Sequence, residues 1–260
     1  KWDLRANVAW NKNMVKKLAD GLDVLTHDSS IDGGAASLES HVGESMGDWY
    51  TYTWKTDNNG NYIVGSDGLY ITDTSERHKV GNAMPKVTGG FGTSLSYKNF
   101  TLASRLIGKS NVYRTISGGR IPFNPYDSDG KEVINENGAL YYAAMNDHWT
   151  PASYSGTTAT ENPNATYPRL AFGSENRNNA QQSTFWLRES SYLQIADIEL
   201  GYNWIPKDKN QFFKSIYFYG RCDNVCTFSK FKDWNPELTS PYAYPLKRTI
   251  TLGFEIGFNL

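Results

Sequence analysis

Residues 246–260 read LKRTITLGFEIGFNL. From Ile250 to Leu260 every second residue is apolar, and the residues between them are Thr, Gly, Glu or Asn. A period of two places one set on each face of a β-strand. One face is then wholly apolar and the other small or polar, which is typical of a strand between lipid and a wet lumen. Taken alone, the strand also fits an edge or sandwich strand of a soluble β protein.

The composition excludes some classes of protein. The 260 residues carry 26 Lys and Arg against 27 Asp and Glu, so no basic surplus indicates nucleic acid as a partner. The chain is rich in Tyr, Trp and Gly, which suits a sheet protein with large loops. Its mean hydropathy of −0.58 is compatible with a membrane barrel, because barrel loops and lumen are polar. No run of 18 apolar residues exists, so no membrane helix is predicted.

Alternation elsewhere predicts several more strands and an all-β fold. Seven segments are predicted to be long strands: 1–17, 42–54, 86–98, 99–109, 185–204, 212–228 and 246–260. Short turns at 97–100 and 205–211 contrast with three long loops, predicted at about 55–85, 110–184 and 229–245. Short turns on one rim and long extracellular loops on the other are typical of outer-membrane barrels. The link 18–41 is then predicted to be periplasmic.

The number of strands indicates a part of a larger barrel. Seven long strands suit the C-terminal third of a transmembrane antiparallel β-barrel of roughly 22 strands with a plugged lumen. The alternation already starts at Trp2, which predicts that residues 1–260 are a piece of a longer protein. We therefore expect strands 1–17 and 246–260 each to have an edge without a partner in this chain.

Several short segments carry a family resemblance. They are GNAMPKVTGGFG at 81–92, SYKNF at 96–100, WTP at 149–151, NPNATYPRL at 162–170, FWLRESSYL at 185–193, IELGY at 198–202, DNVCTFSKF at 223–231 and WNPE at 234–237. In this order they resemble the SusC/RagA-type TonB-linked (TonB-dependent) outer-membrane transporters, over most of residues 43–260. The chain departs from the family pattern at an insertion, 152–161, and at Cys222 and Cys226.

The resemblance implies a function and a set of partners. The chain would be part of a bacterial outer-membrane importer that takes up glycan oligosaccharides or peptides together with a SusD-like surface lipoprotein. Its partners would be the remainder of the barrel and the plug, outer-membrane lipid and the substrate. TonB would be a partner through a segment of the receptor outside residues 1–260. In this family transport rests on binding and plug movement, so an enzyme is not expected.

The sequence contains no recognisable catalytic or metal-binding pattern. The four histidines, His27, His41, His78 and His148, are scattered without the spacing of a zinc site. We therefore expect no catalytic residue, no metal and no cofactor. Cys222 and Cys226 lie about 13 Å apart on an extended strand, too far for a disulfide. They are predicted to be buried or lipid-facing thiols.

Aromatic residues are frequent in the predicted loops 110–184 and 229–245. Flat apolar rings beside Asn, Asp and Arg suit a sugar or peptide site. Four residues are the candidates for contact with substrate or with a lid: Trp149, Tyr126, Trp234 and Tyr242. The alternative is that these rings pack the loops together. A short helix is predicted inside the first loop, at 135–147.

Two other functions also fit the sequence. One is an outer-membrane enzyme of protease or lipase type, which would need Ser, His and Asp clustered at the rim. The other is a small adhesive or structural barrel, which this chain would have to close by itself.

Overall fold

The computed structural model describes residues 1–27, 37–63, 65, 71–116, 147–150, 162, 165, 183–207, 212–238 and 243–258. Within these residues the regular structure is β-strand, apart from one short 3-10 helix, Thr184–Trp186. The strands are β1 (Trp2–Trp10), β2 (Val24–His27), β3 (Ser37–His41), β4 (Asp48–Trp54), β5 (Thr72–Asn82), β6 (Val87–Tyr97), β7 (Phe100–Ser110), β8 (Tyr113–Thr115), β9 (Leu187–Glu189), β10 (Tyr192–Trp204), β11 (Phe213–Ser229) and β12 (Thr249–Phe258). No helix of this part of the chain is long and apolar enough to cross a membrane.

The chain divides into two compact units. The first comprises residues 1–12, 84–112 and 189–260, and the second comprises 13–83 and 113–188. The first unit contains a six-stranded sheet in the order β1-β6-β7-β10-β11-β12, in which all neighbours are antiparallel. The second unit contains a four-stranded antiparallel sheet in the order β2-β3-β4-β5. The short strands β8 and β9 pair with each other.

The six-stranded sheet confirms the all-β antiparallel fold and accounts for six of the seven predicted long strands. The predicted strands 86–98, 99–109 and 212–228 match β6, β7 and β11 closely. The predicted strand 1–17 ends at Trp10, and the strand predicted for 246–260 begins at Thr249. The tight turn at 97–100 is a two-residue hairpin that places Lys98 in the left-handed region, at φ 53°.

The seventh predicted strand, 42–54, is not part of the six-stranded sheet. The prediction that all seven long strands belong to one barrel sheet was therefore wrong for this segment. Only Asp48–Trp54 is a strand, and it belongs to the four-stranded sheet. Gly43 and Gly47 adopt φ values of 88° and 81°, which break the strand before Asp48. Asp48, Trp49 and Thr51 are all buried, so both faces of β4 are covered, unlike a strand between lipid and water.

Two segments predicted to be connections contain strands. The predicted loop 55–85 contains β5, and the predicted periplasmic link 18–41 contains β2 and β3. β5 reads TDTSERHKVGN, which has no apolar alternation to reveal it. In the predicted loop 110–184 the described residues include β8, whereas the helix predicted at 135–147 lies almost entirely outside the described residues.

The second unit has a small aromatic core. Trp49 is fully buried and packs with Leu38 and Leu187. Its indole Nε1 donates a 3.0 Å hydrogen bond to the carbonyl oxygen of Tyr113. The ring of Tyr113 occupies the space that a Cβ at Gly81 would need, so glycine is required at that close approach.

Candidate functional site

The register of the six-stranded sheet places its apolar residues on one face. Directly opposed residues on neighbouring strands point to the same face, and successive residues on one strand alternate. Ile250 and Leu252 of β12 oppose Cys222 and Gly220 of β11. Phe254 likewise opposes Phe218. We call this side of the sheet the apolar face and the other side the polar face.

The apolar face continues across all six strands. Its large exposed side chains are Trp2, Leu4, Val8 and Trp10 of β1, Phe91, Leu95 and Tyr97 of β6, Phe100 and Leu102 of β7, Leu193, Leu200 and Trp204 of β10, Phe218 and Phe228 of β11, and Ile250, Leu252, Phe254, Ile256 and Phe258 of β12. The exposed fractions of Ile250, Leu252, Phe254 and Ile256 are 74%, 83%, 64% and 38%, as predicted. A continuous apolar surface of this size requires a covering of lipid or protein.

The polar face carries a connected set of charges at its centre. Arg105 of β7 pairs with Asp197 of β10, with 2.8 Å between Nε and Oδ2. Arg221 of β11 lies 3.7 Å from the same Asp197 oxygen and 2.9 Å from Oδ1 of Asp223. Arg105 and Arg221 are not among the residues predicted from the sequence. Their positions in the alternation of β7 and β11 were the available signal.

Glycines allow tyrosine rings to lie flat on this face. Tyr217 donates a 2.9 Å hydrogen bond to Oε1 of Glu199, and its ring fills the space beside Gly201. In the same way Tyr219 covers Gly253 of β12, where a Cβ would lie 2.5 Å from the ring. Aromatic side chains that cover cross-strand glycines help to pin strand register.

Both edges of the six-stranded sheet lack a partner in the described part of the chain. There β1 pairs only with β6, and β12 pairs only with β11. The expectation for the two terminal strands is therefore confirmed. Since the described strands form an open sheet, they do not make a small closed barrel on their own.

Two of the four predicted contact residues are described, and each belongs to a different unit. Trp234, in the first unit, is half-buried and meets Phe231 edge-to-face, with 4.8 Å between ring centroids. Its Nε1 lies 3.4 Å from the carbonyl oxygen of Leu238, so the ring is held in a compact turn after β11. Trp149, in the second unit, is half-buried. Tyr126 and Tyr242 lie outside the described residues.

A polar network on the four-stranded sheet was also missed. Glu39 is almost fully buried and accepts hydrogen bonds from Arg77 and, at 2.9 Å, from His41. Buried Asp48 pairs with Lys79, with 2.5 Å between Oδ2 and Nζ. Each buried carboxylate therefore has a cation, which is the arrangement that makes burial of a charge tolerable.

Tyr50 and Glu44 extend this network. The Tyr50 hydroxyl donates a hydrogen bond to Oε2 of Glu44. That bond, with the nearby positive charge of Lys79, lowers the pKa of Glu44. Burial, together with Glu44, raises the pKa of Tyr50. Each charged group of this network thus has an opposite charge beside it, and the ion pairs connect β3, β4 and β5.

Cys222 and Cys226 are both free thiols. Cys222 opposes Ile250, so its thiol lies on the apolar face, as predicted. In the part of the chain that is described, no group of His, Cys, Asp or Glu is arranged to hold a metal ion.

Comparison with known proteins identifies similar chains, although no family model matches. The chain is 25% identical over 271 aligned residues to the TonB-dependent receptor SusC of Bacteroides thetaiotaomicron, a match that covers 99% of this chain and 24% of that protein. It is 24% identical to the TonB-dependent receptor P3 of Formosa agariphila, covering 99% of this chain and 27% of that protein. The chain thus spans about a quarter of the length of these relatives.

Solved structures agree on the fold. The RagAB peptide transporter matches with a TM-score of 0.67 at 16% identity, over 98% of this chain and 27% of the solved chain. The open-open state of the RagAB peptide importer matches with a TM-score of 0.63 at 17% identity, over 99% and 27% of the two chains. These relatives and neighbours are named as receptors, transporters or importers, and none is named as an enzyme. Together with the two-faced sheet, they support the resemblance of this chain to a segment of a SusC/RagA-type TonB-dependent outer-membrane receptor, and they show that it has the fold of part of such an antiparallel β-barrel.

Proposed function

We propose that this chain forms part of the wall of an outer-membrane importer. The observation that carries the proposal is the division of the six-stranded sheet into an apolar and a polar face. The apolar face is turned to lipid and the polar face to a water-filled lumen, as in transmembrane barrels. The unpaired edges of β1 and β12 join further strands of the receptor, because unpaired backbone groups are not tolerated in lipid.

The cargo that we propose is an oligosaccharide or a peptide, delivered with a SusD-like lipoprotein. Support for this comes from the names of the relatives, since one is SusC and the solved neighbours are RagAB peptide importers. Import is driven by TonB through a plug that lies in the rest of the receptor. The polar face supplies hydrogen-bonding groups along the path of the cargo.

We propose that the loops after β7 and β11 contact the lipoprotein or the cargo through Trp149, Tyr126, Trp234 and Tyr242. The support is clearest for Trp234, because Phe231 and the turn to Leu238 hold its ring in one orientation. A rigid aromatic ring loses little entropy on binding, and such rings dominate recognition energies.

The experiment uses the complete receptor in its native host. Cells lacking the receptor are complemented with wild type or with a variant that combines Trp149→Ala, Trp234→Ala and deletion of residues 152–161. Uptake of labelled oligosaccharides, both neutral and acidic, and of labelled peptides is measured, together with co-purification of the lipoprotein. We expect wild type to import one of the two cargo classes and the variant to lose both uptake and lipoprotein association.

Tyr97→Ala is the matched control, because it removes an exposed aromatic ring from the apolar face. It should leave lipoprotein association intact. If wild type imports neither cargo class, the importer proposal is wrong. If the triple variant behaves like wild type in both assays, the loops are not the recognition surface.

A further inference from the structure

A trough lies on the polar face above the glycine-rich strand β6. Its volume is about 720 Å³. The charged and polar side chains along it are Arg5 and Asn7 of β1, Thr88 of β6, Arg105 and Lys109 of β7, and Tyr192 of β10. No site described above uses this trough, and only Arg105 takes part in the central ion pairs.

Glycines form the floor of the trough. Gly90 and Gly92 occupy the polar face of β6, where any other residue would project a side chain. A Cβ placed on Gly92 would meet no atom within 4 Å, so the space above it is open. A Cβ on Gly90 would lie 3.0 Å from Oδ1 of Asn7, which places the Asn7 amide at the wall of the trough.

The strand register places an arginine on each side of Gly92. Arg5 of β1 is the direct partner of Gly92, and Gly92 is the direct partner of Arg105. Two strand spacings separate the Cα atoms of the two arginines, which is about 10 Å. Two long side chains at that separation, with no side chain between them, can reach a single small group over Gly92.

The charged side chains that line the trough are all positive. Arg5, Arg105 and Lys109 contribute three cations, and no carboxylate is among the described residues that line the trough. Asp197 binds Arg105 through Nε, one of the five N–H donors of a guanidinium. Lys109 lies over the ring of Tyr192, with Nζ 5.3 Å from the ring centroid, which holds its charge at the end of the trough.

We propose that this trough binds a carboxylate of the cargo, clamped between Arg5 and Arg105 over Gly92. A guanidinium matches a carboxylate with paired N–H donors, and such charge-assisted hydrogen bonds are stronger than bonds between neutral groups. The inference rests on the proposed function, because it places the polar face along the path of the cargo. It adds that the cargo is acidic, either an oligosaccharide with uronic acid units or a peptide with Asp or Glu.

The test uses the purified complete receptor and two pairs of probes. One pair is an oligogalacturonate and a neutral galactose oligomer of equal length, and the other is an oligoaspartate and an oligoasparagine peptide. Binding is measured by calorimetry at low and high salt. We expect an acidic probe to bind more tightly than its neutral partner, by about tenfold or more, with the difference shrinking at high salt.

Three variants locate the binding. Arg5→Gln should weaken binding of the acidic probe by about tenfold, the factor that corresponds to 1.4 kcal/mol, and leave the neutral probe unchanged. Gly92→Leu should weaken it as well by filling the trough without removing a charge. Arg105→Lys keeps the charge but loses the paired donors, so a partial loss is expected. Lys86→Gln is the control, because it removes an exposed cation that does not line the trough.

Several outcomes overturn the inference. Equal binding of acidic and neutral probes, binding of no acidic probe, or equal effects of Arg5→Gln and Lys86→Gln would each do so. The oligogalacturonate and the oligoaspartate arms separate the two sources of the carboxylate. The importer proposal is judged separately by uptake in cells, so a receptor that imports neutral cargo but prefers no acidic probe refutes only the trough.

Discussion

Tyr217 is hydrogen-bonded to Glu199 on the neighbouring strand while its ring covers Gly201 of that same strand. The bond measures 2.9 Å, and a side chain at position 201 would occupy the place of the ring. Residues 199 and 201 are two apart on β10, so they share the polar face. The position of the Tyr217 side chain thus depends on two residues of β10, Glu199 for its hydroxyl and Gly201 for its ring.

The first prediction separates these two dependences in the complete receptor. Tyr217→Phe removes the hydroxyl but keeps the ring, so a loss of about 1 kcal/mol in unfolding free energy is expected. Gly201→Ala displaces the ring as well and should cost more. The measurement is the unfolding temperature of the detergent-solubilised receptor, read from its shift in gel mobility. Gly92→Ala is the control, since a Cβ there meets nothing within 4 Å. Equal effects of all three substitutions would contradict this account.

The second prediction concerns the apolar face of β12. Phe254→Asp places a carboxylate where 64% of the phenylalanine side chain is exposed, and lipid contact should make this destabilising by up to about 2 kcal/mol. Thr251→Asp introduces the same group on the polar face, opposite Arg221, and should be tolerated. Outer-membrane levels and unfolding temperatures of both variants check the prediction. A soluble sheet would instead tolerate Phe254→Asp as readily as Thr251→Asp.

The third prediction concerns Asn224, which interrupts β11 in the left-handed region at φ 53°. Its Nδ2 donates a 2.8 Å hydrogen bond to the carbonyl oxygen of Lys247, just before β12. Asn224→Gly keeps the backbone conformation and loses only this bond, whereas Asn224→Ala also acquires the strain of a left-handed alanine. The unfolding free energy of the Asn224→Ala variant should therefore be lower than that of the Asn224→Gly variant, by about 1 kcal/mol. The reverse order in unfolding temperature would exclude this role.

The fourth prediction concerns the pH range over which the four-stranded sheet is stable. The pKa of Glu44 lies below its ordinary 4.5, chiefly because of the Tyr50 hydrogen bond, so its stabilisation is present above pH 4.5 and is lost as the pH falls through the lowered pKa. The pKa of Tyr50 lies above its ordinary 10.0, chiefly through burial. Its contribution is present below pH 10 and is lost as the pH rises toward the raised pKa.

Hydrogen exchange of peptides from β3, β4 and β5 measures this stability across pH, after correction for intrinsic exchange rates. Tyr50→Phe should lower the protection of these peptides against exchange at neutral pH. It should also make the decrease of that protection at acid pH smaller than in wild type. Tyr52→Phe, two residues along the same strand, is the matched control. If Tyr50→Phe leaves the acid dependence of protection unchanged, the hydrogen bond to Glu44 is not its cause.

Part of the candidate site was predictable from sequence. The exposed apolar set Ile250, Leu252, Phe254 and Ile256 follows from the period of two in residues 246–260. The four-stranded sheet was not predictable, because Val80 is the one large apolar residue of β5 and β4 is buried on both faces. Burial on both faces removes the contrast between polar and apolar positions on which strand prediction depends.

By itself, the sequence determined that the main strands have one apolar and one polar face, because successive side chains of an extended backbone must alternate. It also placed Gly90 and Gly92 on the polar face of β6, whereas the left-handed conformation of Asn224 became evident only in the structure. Only the tertiary structure decided which strands are neighbours and in what register. Backbone hydrogen bonds between strands are alike for every residue, so the alignment of Arg5, Gly92 and Arg105 arises only once three separate segments have paired.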